Sequence, residues 1–182
     1  WAQAVIFPQK KQPGVAKITQ KSNSYQLANK VLKASFINTG GKLYFNGCSE
    51  LGLQPDTELF KVLLGDGSTV AASKMKLEDV KIVTLGEDSS AATASLRYAG
   101  KALEARFTYG DLSITWRAVL RDGSHYLRTE MDIKAARDLS MKGIVAMNYL
   151  VAKNSAYTAP EVVGNTRGAI LASNHIACQD GT

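Results

Sequence analysis

Polar and apolar residues alternate along much of this chain, and this period of two constrains the fold more than any other feature of the sequence. The clearest alternation is in four consecutive runs, at residues 92–98, 101–109, 112–120 and 126–134. Between them lie turn-forming residues, namely Gly100, Gly110-Asp111 and Asp122-Gly123. In the third run Trp116 falls in the apolar phase and Arg117 in the polar phase. The pattern predicts a four-stranded antiparallel meander with one buried face, and it places Trp116 in the core.

Shorter runs elsewhere have the same character. Residues 42–45 follow a Gly-Gly pair, and residues 59–64 run into Gly65-Asp66-Gly67 with a return strand at 69–71, as in a tight hairpin. Residues 51–56 read as a loop, because Pro55 lacks a ladder donor.

The apolar run at residues 141–151 is nearly continuous, as in a strand covered on both faces or a short helix, and we favour the strand. Capped amphipathic runs are missing from the sequence, so we expect only one or two helical turns, near residues 73–79. The predicted fold is an all-β antiparallel β-sandwich with little helix.

Length and composition favour one globular domain. The 182 residues are 45% hydrophobic and 21% charged, which suits a chain that buries one substantial core. Intrinsic disorder is excluded by this balance, and a membrane-spanning helix is excluded because no apolar stretch reaches the required ~18 residues. The chain begins at Trp1 without an initiator Met, which either a removed signal peptide or a cut within a longer protein would explain. We expect residues 1–182 to be one β-sandwich domain, a module of a longer secreted protein.

Basic charge is concentrated at the start of the chain. The first 42 residues contain seven Lys and no acid, whereas the chain as a whole has a formal net charge of +6. The segment 1–24 is therefore described as Lys-rich. No Arg precedes Arg97 and few aromatic residues lie among the lysines, so a solvated basic face is expected ahead of binding to nucleic acid or to another anionic surface.

The two cysteines, Cys48 and Cys178, lack the short paired spacing of a zinc site or of a redox pair. Two alternatives stay open: two separate buried thiols, or one disulfide in an exported protein. The sequence also lacks Walker-type loops, dinucleotide fingerprints and nucleophile elbows, so we expect neither a metal nor a cofactor.

Two stretches carry a resemblance to a known family. The first is residues 25–36, Tyr-Gln-Leu-Ala-Asn-Lys-Val-Leu-Lys-Ala-Ser-Phe, followed by Gly40-Gly41-Lys42-Leu43. The second is residues 112–128, in which a Trp strand, an Arg-Asp-Gly-Ser turn and an aromatic-led strand follow one another. Together they resemble the galactose-mutarotase-like β-supersandwich at the amino terminus of endo-α-N-acetylgalactosaminidase-like secreted bacterial glycan-processing proteins.

The resemblance implies a glycan-associated accessory domain, secreted, periplasmic or at the cell surface, with a glycan and neighbouring domains of the same chain as partners. It does not by itself imply catalysis, because nothing here corresponds to those enzymes' catalytic barrel. Two alternatives remain. One is an aldose epimerase or hydrolase fragment, since Asn174-His175 resembles the Asn-His of mutarotases and Glu130 offers a carboxylate. The other is a structural interdomain module.

We expect residues that bind sugar to lie on the polar side of the strand that contains Trp116 and of the strand that follows it. Aromatic faces pack on sugar C–H surfaces, and planar polar groups pair with adjacent hydroxyls. Glu130 and Asp132 lie on one face of one strand and point the same way, which does not suit a hydrolytic carboxylate pair. The candidate ligand-binding residues are Arg117, His125, Tyr126, Arg128 and Glu130.

Overall fold

A computed structural model describes residues 11–48, 55–93 and 96–146, together with the backbone of three short strands between 161 and 180. Its strands pair antiparallel throughout, and the described residues contain no α-helix. The predicted all-β antiparallel fold is confirmed, and its sandwich character follows from the packing described below.

The first sheet is a four-stranded meander with the strand order of the sequence. Its strands are β1 (Lys17–Lys21), β2 (Ser24–Ala28), β3 (Lys33–Thr39) and β4 (Lys42–Phe45). One face of the sheet carries the buried side chains of Leu27, Phe36 and Phe45, and the other carries mainly polar ones. Gly40 and Gly41 both have positive φ, which allows the tight turn between β3 and β4.

The second sheet is also a four-stranded meander. Its strands are β7 (Lys76–Leu85), β8 (Gly100–Tyr109), β9 (Leu112–Arg121) and β10 (Arg128–Ala135). The described residues also form two smaller sheets. One consists of β5 (Lys61–Leu64), β6 (Thr69–Ala71) and β11 (Met141–Val145), and the other of β12 (Glu161–Val163), β13 (Ile170–Ala172) and β14 (Ala177–Asp180).

The two four-stranded sheets pack face to face over one apolar core. Trp116 of β9 is fully buried, and its ring meets that of Phe36 of β3 edge to face at a centroid distance of 5.6 Å. Phe60, just before β5, makes a similar contact with Phe107 of β8 at 5.2 Å. The prediction that Trp116 lies in the core is confirmed.

Hydrogen bonds at one end of the sandwich join the two sheets. The turn after β9 is hydrogen-bonded to the segment before β1. Asp122 Oδ1 accepts from the Ala16 amide at 2.7 Å, and the Gly123 amide donates to the Gly14 carbonyl at 2.8 Å. Asn29 Nδ2 donates to the Ser124 carbonyl at 2.7 Å from the β2–β3 turn. These bonds fix the β9–β10 turn, which contains two of the candidate ligand-binding residues.

The predicted first strand of the second sheet was placed in the wrong segment. The described residues of 92–98 are not in a strand, and β7 takes that place in the sheet. The run at 92–98 offers mostly small side chains, so it buries little apolar area. The sequence did not predict β7, because a bulge between Leu77 and Asp79 shifts the phase of its alternation of polar and apolar residues.

Other predicted elements agree with the structure in part. The hairpin at 59–71 and the strands at 42–45, 101–109, 112–120 and 126–134 are confirmed within two residues. The helical turns expected at 73–79 are a single 3-10 turn at Ala72–Lys74, after which the chain enters β7. The first part of 141–151 is the strand β11, but Met141 and Ile144 are about two-fifths exposed, so it is not covered on both faces.

The contact between Trp116 and Phe36 generates a stability prediction. We expect Trp116→Ala to lower the free energy of unfolding in urea by about 3–5 kcal/mol, because it leaves a cavity between the sheets. Trp116→Phe should cost less, since it keeps an aromatic contact and removes an indole N–H that has no partner among the described residues. Tyr98→Ala, at a 58% exposed side chain, is the control. Equal losses for Trp116→Ala and Tyr98→Ala would contradict the assignment.

Candidate functional site

The outward face of the second sheet carries a row of charges that crosses all four strands. In the strand register Glu130 of β10 lies opposite Arg117 of β9, Arg117 lies opposite Glu104 of β8, and Glu104 lies opposite Lys81 of β7. Directly opposed residues of antiparallel strands share a face, so the four side chains form one line of alternating sign. We call Glu130, Arg117, Glu104 and Lys81 the charge row.

Glu104 is the centre of the charge row. Its Oε2 accepts from Arg117 Nε and Nη2 at 2.6 Å, and its Oε1 lies 2.9 Å from Lys81 Nζ. The Glu104 side chain is only 6% exposed, whereas its two cationic partners remain about half exposed. A carboxylate so well shielded is tolerated because both oxygens are paired with cations.

These neighbours set the protonation state of Glu104. Burial raises the pKa of its carboxyl, but the hydrogen bonds from Lys81 and Arg117 and their positive charges outweigh burial and leave the pKa below the usual value. Glu104 is therefore an ionised anchor at neutral pH and not a proton donor.

One further candidate residue, Arg128, lies beside the charge row on β10. Arg128 Nη2 donates to Glu130 Oε1 at 2.5 Å, and both side chains are about one-third exposed. Arg117 lies opposite Glu130 on the same face. The structure thus brings together Arg117, Arg128 and Glu130, and Arg128 and Glu130 pair with each other from positions two residues apart on β10.

The remaining two candidates lie in the turn between β9 and β10. Tyr126 is 51% exposed, and its backbone is held by Ser124, whose Oγ donates to the Tyr126 carbonyl at 2.9 Å. His125 occupies the position between them. Because this turn is also bonded to Gly14 and Asn29, it presents Tyr126 from a fixed backbone at the end of the strand pair that carries Arg117 and Arg128.

The carboxylates considered for hydrolysis lie as expected. Glu130 and Asp132 lie opposite Arg117 and Thr115, so both project from one face of β10. Asp132 is largely exposed and lies 3.4 Å from Lys134 Nζ. Neither carboxylate faces the other across a cleft, so the geometry does not support a pair that attacks a glycosidic bond from two sides.

Several predictions lie outside the described residues. His175, the candidate epimerase acid, belongs to this group, and so do the loop residues 51–54. Cys178 belongs to β14, whose side chains are not described, while the Cys48 side chain is buried. The disulfide and the epimerase alternative therefore stay predictions.

Glu104 and Lys81 are members of the site that sequence reasoning missed. Glu104 falls in the polar phase of the run at 101–109, but its partners depend on the strand register, which a local pattern does not specify. Lys81 lies on β7, whose position in the sheet was not predicted. The only sequence signal was a Glu in the polar phase of an otherwise apolar strand.

The described surface also has a shallow depression at the other sheet, away from the charge row. Its volume is about 390 Å³. It is lined by Gly14, Val15, Lys17, Ala28, Asn29 and Lys30. Within the described ranges, no three His, Cys, Asp or Glu side chains gather as metal ligands would, and no helix has the length and apolarity to cross a membrane.

Comparison of the chain with protein-family models, with curated proteins and with solved structures gives no match. Any functional assignment therefore depends on the residues and geometry described above.

The shielded position of Glu104 predicts a pH dependence of stability. Because its folded-state pKa is lowered, Glu104 contributes stability above the unfolded-state value of about 4.5, and that contribution is lost as pH falls through the folded-state pKa. We expect Glu104→Gln to cost about 1–2 kcal/mol in urea unfolding at pH 7. The difference from wild type should shrink in unfolding measured progressively below pH 4.5.

The matched control for this measurement is Asp132→Asn, at an exposed carboxylate on the same sheet face. It should keep the wild-type pH profile. A Glu104→Gln penalty that is constant from neutral to acidic pH would show that Glu104 acts through its shape and not through its charge.

Proposed function

We propose that this chain is a non-catalytic module that binds carbohydrate at the end of the second sheet, where Tyr126 adjoins the β9–β10 strand pair. The single observation that carries the proposal is a half-exposed Tyr126 on a fixed turn, two residues before the Arg128–Glu130 pair. An aromatic face and adjacent planar polar groups are the two elements that sugar recognition requires.

The ion pairs of the site are compatible with sugar binding, because they leave some N–H donors of Arg117 and Arg128 unused. A guanidinium has five N–H donors, and Arg128 spends one of them on Glu130. Arg117 is 43% exposed although it is bonded to Glu104. The two Arg–Glu pairs thus keep Arg117 and Arg128 in fixed orientations, while outward N–H groups of these arginines and the partly exposed Glu130 carboxylate remain accessible to sugar hydroxyls, which lowers the ordering cost of binding.

The resemblance to galactose-mutarotase-like supersandwich domains supports the same proposal. It places the module in a secreted, periplasmic or cell-surface bacterial protein that processes glycans. The partners would be an oligosaccharide and neighbouring domains of the same polypeptide. In this arrangement the module would position substrate for a catalytic domain and would perform no chemistry itself.

A glycan array probed with the purified chain tests the proposal. We expect binding to at least one glycan, reduced roughly tenfold or more by Tyr126→Ala and by Arg128→Ala, which corresponds to about 1.4 kcal/mol or more. The readout is the dissociation constant for that glycan, measured by titration calorimetry.

Matched controls lie at the opposite end of the same sheet. Tyr109 is 46% exposed there, and Arg137 pairs with Asp111 at 2.7 Å. Tyr109→Ala and Arg137→Ala should leave glycan affinity unchanged. If the array is blank for a folded chain, or if the control variants weaken binding as much as Tyr126→Ala, the proposed site is wrong.

One observation favours a second candidate, the structural interdomain module. Every charged side chain of the charge row already has a partner or a neighbour of opposite sign, as is usual for a solvated or domain-facing sheet surface. A blank array would favour this alternative.

A further inference from the structure

The outward face of the first sheet carries basic charge and no acid. Its four exposed lysines are on three different strands: Lys17 and Lys21 on β1, Lys33 on β3 and Lys42 on β4. Residues 11–48 contain no Asp or Glu. We call these four side chains the lysine face.

The strand register fixes how the lysine face is spaced. Lys17 and Lys33 lie opposite Ala28 from its two sides, so they are two strand spacings apart, or about 10 Å. Lys21 is four residues beyond Lys17 on the same strand, about 13 Å away by rise. The charges are thus distributed over a surface, as suits a polymer with recurring charges better than a single small anion.

The lysine face differs from the charge row in one decisive respect. On the second sheet most lysines and arginines of the outward face form an ion pair with an acidic side chain, for example Lys81 with Glu104 at 2.9 Å. Lys17, Lys21, Lys33 and Lys42 make no ion pair with any residue of the described ranges. Their charges are not neutralised locally, so they sum to a positive potential over one face.

Uncharged polar groups and one aromatic ring lie between the lysines. Gln26 lies opposite Thr19 on one side and Ser35 on the other, and Tyr44 lies opposite Ile37 on the same outward face. Hydroxyl and amide groups are suited to sugar hydroxyls, and a half-buried tyrosine ring can pack on a sugar ring. Nucleic acid is less well matched, because the face contains no arginine and only one aromatic residue.

We propose that the lysine face binds an acidic polysaccharide, one whose carboxylate or sulfate groups recur along the chain. The inference rests on the proposed carbohydrate-binding function and specifies its ligand class. It places a second contact surface on the sheet opposite to Tyr126, so one module would hold an anionic polymer by charge on one face and a sugar ring at the end of the other sheet.

The experiment measures binding of the full chain to four probes by affinity electrophoresis and calorimetry: polygalacturonate, dextran sulfate, unmodified dextran and single-stranded DNA. We expect the chain to bind one or both polyanions. Any affinity for dextran, which is uncharged, should not depend on the lysine face. The polyanion affinity should fall by roughly tenfold or more between about 50 and 200 mM salt, because the contacts are solvent-exposed charges.

Two triple variants with equal loss of charge locate the contact. Lys17→Gln, Lys21→Gln and Lys33→Gln together should weaken polyanion binding by roughly tenfold or more. Lys76→Gln, Lys101→Gln and Lys134→Gln together remove the same charge from the second sheet and should change it less than about twofold. Thermal unfolding of both variants verifies that the fold is retained.

Three results would overturn the inference. One is equal weakening by both triple variants, which would mean that only net charge matters. Another is absence of polyanion binding in a chain that binds neutral glycans through Tyr126, which would leave the proposed function intact. The third is tighter binding to single-stranded DNA than to either polysaccharide. Polyanion binding that survives Tyr126→Ala but not the lysine variant would support the lysine face alone.

Discussion

The edge-to-face contact between Phe36 and Trp116 is the interaction on which the rest of the structure depends. Each ring is fully buried and belongs to a different four-stranded sheet, so the contact sets how the two sheets pack. The apolar residues around them form one continuous cluster. With both inner faces committed to this core, the two outer faces are the surfaces left for ligands or partners.

The two outer faces differ in how their surface charges are arranged. On the second sheet acidic and basic side chains alternate across the strands and neutralise one another, with Glu104 shielded between Lys81 and Arg117. On the first sheet lysines stand without acidic neighbours. The first arrangement fixes side chains in place, whereas the second leaves a field that acts at a distance of about one Debye length. Pre-organised polar contacts therefore belong to one sheet and electrostatic attraction to the other.

The fold could be predicted where alternation is regular, and it could not where a bulge interrupts it. The runs at residues 103–109 and 112–118 alternate regularly and their strands were predicted correctly, whereas the bulge at Leu77 and Asp79 concealed the alternation of β7. The candidate site was predictable to the same extent. Arg117, Arg128 and Glu130 lie on one face as their phase requires, but the partner of Arg117 depended on a strand register that no local pattern specifies.

The sequence by itself determined the strand class, the buried phase of Trp116 and the acid-free start of the chain, because these follow from residue type and a period of two. Only the tertiary structure decided which strands are neighbours, that Glu104 is shielded by two cations, and that the lysines share one outward face. The physical reason is that the alternation of side chains between the two faces of a strand is a local property, set by neighbouring residues in the chain. Pairing across strands and sheets depends on contacts between residues far apart in the chain.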